Sequence, residues 1–229
     1  MNNQKYILAF IGINILVLIA YGFLRSNEAV TPTTTTQQTE TGKESEYTII
    51  AFGDSLTAGY GLEISQSYPA QLETKLRDNG YKAQVINSGV SGETTRGNLE
   101  RANFIASQES DIVIVGIGGN DALRLLSVSD ARKNIEETID ILQASDNQPT
   151  ILLLQMQAPL NAGQDYKQEF DAIYSAIANE KEVTLVPFLT EEIFFDPTNK
   201  IDDGIHYNES GYRKAIDAYV FPAVTSVLK

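Results

Sequence analysis

From residue 47 onward the chain alternates between two hydrophobic patterns. Short apolar runs rich in β-branched residues occupy 48–52, 83–86, 112–117, 150–156 and 184–187. Between them, apolar positions recur three and four residues apart over 68–78, 95–107, 129–144 and 166–179, and again over 209–228. The first pattern predicts strands and the second amphipathic helices. Local punctuation agrees: Ser67 and Pro69 suit a helix start, Gly80 a stop, and Ser129 with Asp130 another start. A strand such as Ile112-Val113-Ile114-Val115 is apolar at every position, which predicts burial on both faces of a parallel sheet covered by helices. The expected fold is therefore α/β: a three-layer α/β/α sandwich, flavodoxin-like, with about five parallel strands.

The pattern before residue 47 is different. Residues 6–24 are apolar except for Gly12, Asn14 and Gly22, with Lys5 before them and Arg25 after. As a helix this run would span about 28 Å, close to a hydrocarbon core of roughly 30 Å. It is longer than a usual signal core and no clear small-residue cleavage site follows, so residues 1–25 read as a membrane anchor, with a cleaved signal segment as the alternative. Residues 26–46 are rich in Thr, Gln and Glu and lack apolar periodicity, which predicts a disordered tether. The folded domain is expected over 47–229, on the extracytoplasmic side, or secreted if the segment is cleaved.

Composition narrows the partners. Of 229 residues, 42% are hydrophobic and 21% charged, as in an ordinary globular protein, but the net charge is -13. Too few cations are present to neutralise phosphates, so no nucleic acid is expected as a partner. With no cysteine and one histidine, neither a disulfide nor a structural zinc site is expected, and no metal or cofactor is implied. The pattern is silent on oligomeric state.

Candidate chemistry lies at the strand ends. The first apolar run stops at Gly53 and is followed by Asp54-Ser55-Leu56, which lifts Ser55 off the carboxyl end of a buried strand. In open α/β sheets, ligands bind in the crevice beyond those ends. A serine there acts as a nucleophile only with a base beside it, and the sole histidine, His206, sits in Asp203-Gly204-Ile205-His206. After the second run comes Asn87-Ser88-Gly89-Val90-Ser91-Gly92, and after the third Gly118-Gly119-Asn120-Asp121. The Gly92 N–H and the Asn120 amide are candidates to stabilise an oxyanion. Gly89, Gly116, Gly118 and Gly119 read as tight-turn residues, and Asp54 and Asp121 as structural carboxylates.

These four blocks, in this order, resemble the SGNH hydrolases, also called the GDSL esterase/lipase superfamily. Gly53-Asp54-Ser55-Leu56-Thr57-Ala58-Gly59-Tyr60 and Gly118-Gly119-Asn120-Asp121-x-Leu123-Arg124 are similar to its bacterial arylesterase, thioesterase and lysophospholipase branch. The resemblance implies Ser55 as nucleophile, His206 as base and Asp203, rather than Asp202, as the carboxylate. It implies an oxyanion hole of the Ser55 and Gly92 N–H groups and the Asn120 side chain. Tyr207 departs from the proline that commonly follows the motif histidine. The implied activity is a serine esterase acting on carboxylic or thioesters of apolar acyl chains, such as aryl esters or lysophospholipids. An O-acetylesterase of cell-wall or exported glycans is the alternative. Leu123, Leu125 and Leu126, with Pro159 and its neighbours Met156, Ala158 and Leu160, are expected to border an apolar acyl groove.

Overall fold

A computed structural model describes residues 47–228, so the expected anchor and tether lie outside the described residues. Among those described, no helix is long and apolar enough to cross a membrane. Five strands form one all-parallel sheet: β1 (Tyr47–Gly53), β2 (Ala83–Gly89), β3 (Ile112–Gly116), β4 (Thr150–Gln155) and β5 (Thr184–Pro187). Their order is β2-β1-β3-β4-β5. The chain turns one way from β1 to β2 and then crosses to the other side for β3. That reversal makes the carboxyl end of β1 the switch point of the sheet, where the flanking connections part to leave a crevice.

Helices cover both faces: α1 (Ser55–Ala58), α2 (Tyr68–Asp78), α3 (Thr95–Ala106), α4 (Gly119–Leu123), α5 (Val128–Gln143), α6 (Gln164–Glu180), α7 (Glu191–Phe194), α8 (Glu209–Ala215) and α9 (Phe221–Val227). The central strands β1 and β3 are buried from Ile49 and Ile112 onward, which explains their unbroken apolar runs. Register places Gly53 beside both Gly89 and Gly116, so three adjacent strands end in glycine at one level.

Several boundaries differ from expectation by a few residues, and three of the differences have a local cause. β2 continues to Gly89 rather than stopping at 86, because Asn87-Ser88-Gly89 pair through backbone alone. The predicted start at Ser129 lies one residue earlier, at Val128, where the Ser127 hydroxyl accepts the Asp130 N–H and caps α5. The predicted helix over 209–228 is α8 and α9 joined by a π-helical turn, Ile216–Val220, just ahead of Pro222, which has no N–H to continue a regular ladder.

Candidate active site

Ser55 opens α1 directly after β1, and Asp54 caps that helix by accepting the Leu56 N–H at 3.0 Å. Only 8% of Ser55 is exposed, and its Oγ lies 2.8 Å from His206 Nε2. On the far side of the ring, Nδ1 lies 2.6 Å from Asp203 Oδ2. A carboxylate accepts only, so Nδ1 carries the proton and the Nε2 lone pair faces the serine hydroxyl. Asp203 Oδ1 accepts the N–H groups of Ile205 (2.8 Å) and His206 (3.0 Å), folding the loop so that residues three apart face one another. Partial burial opposes ionisation of Asp203, but these two N–H groups and the imidazole outweigh it and hold its carboxyl below the usual range. The carboxylate facing the imidazole is thus Asp203, not Asp202.

The loop bearing His206 is held from behind by Tyr207. Its ring is fully buried against Phe188, Phe194 and Tyr212, and its hydroxyl donates to the Phe188 carbonyl at 3.1 Å. A buried aromatic with a satisfied hydroxyl here does the anchoring work of a rigid turn. Two other buried hydroxyls pin the neighbouring turns: Tyr212 donates to the Leu56 carbonyl at 2.8 Å and Tyr174 to the Ile117 carbonyl at 3.0 Å. Burial pushes all three phenols upward, so they stay neutral donors.

Gly92 and Asn120 come together through Arg124. Its Nη2 donates to the Gly92 carbonyl at 2.9 Å and to Asn120 Oδ1 at 3.3 Å, while Asn120 Nδ2 reaches Asp54 Oδ2 at 3.4 Å. Gly92 has φ +82, a left-handed conformation that strains any residue with a Cβ. Glu93 pairs with Arg101, whose guanidinium also donates to the Ser88 carbonyl and lies 4.8 Å from the Phe52 ring centre. This fastens the Gly92 loop to the ends of β1 and β2. Gly118 is a turn residue with φ +108, and a Cβ there would stand 2.3 Å from the Tyr174 hydroxyl. Asp121 is structural: it accepts both the Thr95 N–H (2.8 Å) and hydroxyl (2.7 Å) at the start of α3. Asp54 is fully buried, and desolvation raises its pKa to about 6.

Two contacts were not anticipated. Tyr60 packs its ring 4.8 Å from that of His206. Its signal is the Gly59-Tyr60-Gly61 triplet, whose glycines have φ +77 and +78 and turn the chain back over the site. Arg124 is the second, and only its place in a motif marked it.

The groove residues divide. Leu123, Leu125 and Leu126 are exposed, and Pro159 is half-buried. Met156 and Ala158 are buried in the core and cannot line a groove: the Met156 side chain lies against Gly116, and the Ala158 N–H donates to Asp171 Oδ1 at 2.8 Å.

Residues 51–214 match the model of the GDSL-like Lipase/Acylhydrolase family. The chain is 36% identical over 162 residues to the thioesterase 1/protease 1/lysophospholipase L1 of Escherichia coli (strain K12), covering 70% of this chain and 76% of that one. It is 33% identical over 159 residues to an arylesterase of Vibrio mimicus, covering 69% and 78% respectively. The crystal structure of AlinE4, an SGNH-hydrolase family esterase, aligns with a TM-score of 0.66 at 42% identity, covering 81% of this chain and 98% of its own. With the four motif blocks on one sheet edge and these relatives across most of its length, the chain belongs to the GDSL-like lipase/acylhydrolase family of SGNH hydrolases and is an esterase-type hydrolase.

Proposed function

We propose that the chain is a serine esterase that cleaves carboxylic or thioesters of apolar acyl chains through an acyl-enzyme. The observation that carries this reading is the unbroken relay from Ser55 Oγ through His206 to Asp203, at 2.8 and 2.6 Å. In the first step Ser55 Oγ bonds to the acyl carbon and its proton passes to His206 Nε2, while Asp203 stabilises the imidazolium. The carbonyl oxygen becomes an oxyanion received by the Ser55 and Gly92 N–H groups and the Asn120 amide. Collapse expels the alcohol or thiol, which takes the proton from Nε2. Water then repeats the sequence in reverse and releases the acid.

Leu123, Leu125, Leu126 and Pro159 would border the acyl chain. The names of the Escherichia coli and Vibrio relatives support aryl esters, thioesters and lysophospholipids as substrates. We place the domain outside the cytoplasm, tethered through residues 6–24. A fluorophosphonate probe should add one adduct on the Ser55 peptide and none in Ser55→Ala; labelling of a different serine overturns the assignment. Among p-nitrophenyl esters, kcat/KM should climb from acetyl to octanoyl by up to about fourfold per methylene. A preference for acetyl, with acetylated glycans cleaved faster than any longer acyl ester, replaces this reading with the O-acetylesterase.

A further inference from the structure

The exposed large apolar side chains are distributed unevenly over the described residues. Tyr60, Ile64, Val90, Leu123, Leu125, Leu126, Leu160 and Ile205 all belong to segments that leave the carboxyl ends of the strands, the edge that holds Ser55. The exception is Phe104, near the end of α3 at the opposite edge. Ordinary surfaces scatter such residues, whereas an apolar set gathered on one face marks an interaction site. Leu125 adds a second sign. It is 54% exposed and has φ +51, so a large side chain is held in water on a strained backbone. Neither burial nor backbone preference accounts for it there.

We propose that this apolar rim docks the active-site face on a neutral or zwitterionic lipid surface, from which the ester substrate is drawn. A second copy is a poor occupant, since an isologous contact over the rim would close both copies of Ser55 against each other. A lipid surface delivers an ester to the crevice it covers. The net charge of -13 opposes anionic lipid and leaves apolar contact as the driving force. The chain preceding Tyr47 enters at the amino end of β1, the edge away from Ser55. Residues 26–46, if extended, reach roughly 70 Å, against about 23 Å for the length of β1. A chain fastened to a membrane through residues 6–24 thus has enough length to turn its far face to the same membrane.

The substrate part of this inference rests on the esterase reading, but docking can be read without turnover. The protein has no tryptophan, so a single introduced indole reports alone. In the full-length chain, Ile64→Trp and Leu160→Trp should shift to the blue and be quenched by vesicles of brominated phosphatidylcholine. Phe104→Trp, as exposed in the parent as Leu160 but at the other edge, should remain unquenched. Admixing phosphatidylglycerol should weaken the rim signals. Ile64 is 84% exposed, so Ile64→Asp leaves the fold intact. It should lower hydrolysis of vesicle-borne lysophosphatidylcholine about fivefold while p-nitrophenyl acetate hydrolysis stays within about twofold. Equal quenching at all three positions would mean lipid contact with no preferred face, and overturns the proposal. So does quenching at none, or a blue shift without vesicles that tracks with dimer formation. An absence of hydrolysis with the rim probes still quenched would fault the esterase reading and leave docking standing.

Discussion

Arg124 shows how a residue outside the candidate triad governs the site's electrostatics. Guanidinium nitrogens only donate, so the amide atom facing Arg124 is Asn120 Oδ1 and the NH₂ is turned away, toward Asp54. The same nitrogen holds the Gly92 carbonyl, which sets the direction of the neighbouring peptide. Both candidate oxyanion donors outside Ser55 therefore depend on one exposed side chain. Removing an oxyanion donor costs about a hundredfold to a thousandfold, and misaiming one costs less. Arg124→Ala should lower kcat for a neutral aryl ester by about tenfold or more. KM should hold nearly constant, and added guanidinium should restore part of the rate. An unchanged kcat removes Arg124 from the support of the site, and a loss confined to KM makes it a substrate contact.

At the scale of elements, the one-turn helix α1 carries Ser55, the proposed nucleophile, and is capped by a buried carboxylate. Capping favours the ionised form of Asp54, yet burial dominates and raises its pKa from 3.8 to about 6. The folded chain therefore holds that proton more tightly than the unfolded chain does. Stability associated with Asp54 is full below pH 4, falls as the pH rises through the window from 4 to 6, and levels off above it. The loss amounts to roughly 2 to 3 kcal/mol. Asp54→Asn should flatten that part of the pH dependence, so urea denaturation at pH 4 and pH 7 should differ less in the variant than in the parent. An identical difference in both would mean that Asp54 ionises freely in the folded chain.

This element also shows where sequence patterns fail. Strands buried on both faces write continuous apolar runs, and long helices write a period, so all five strands and the longer helices were legible. α1, α4 and α7 span about one turn, too short for any period to register. Asn87-Ser88-Gly89 extends β2 through backbone pairing that its side chains do not advertise. Ser55 and His206 were singled out by residue type and position and Asp203 by the family resemblance, and the three meet in space. Tyr60 and Arg124 were not, because their contacts depend on two turns whose directions are set by Gly59, Gly61 and Gly118 rather than by the residues themselves.

For the whole molecule, the separation between anchor and catalyst is the expectation most open to direct test. If residues 6–24 hold the domain outside the cytoplasm, protease added to intact cells should release a fragment beginning within 26–46. A soluble form found in the medium and beginning near Val30 would show cleavage instead. Within the domain, Ser55 and His206 lie 151 residues apart and meet only across a completed sheet. During synthesis the proposed nucleophile therefore emerges early and its proposed base near the end, with four of the five strands in between. On the proposed roles, an unfinished or truncated chain carries Ser55 with no imidazole beside it, so activity waits until the last elements have packed. Assembly of the fold is itself the timing device.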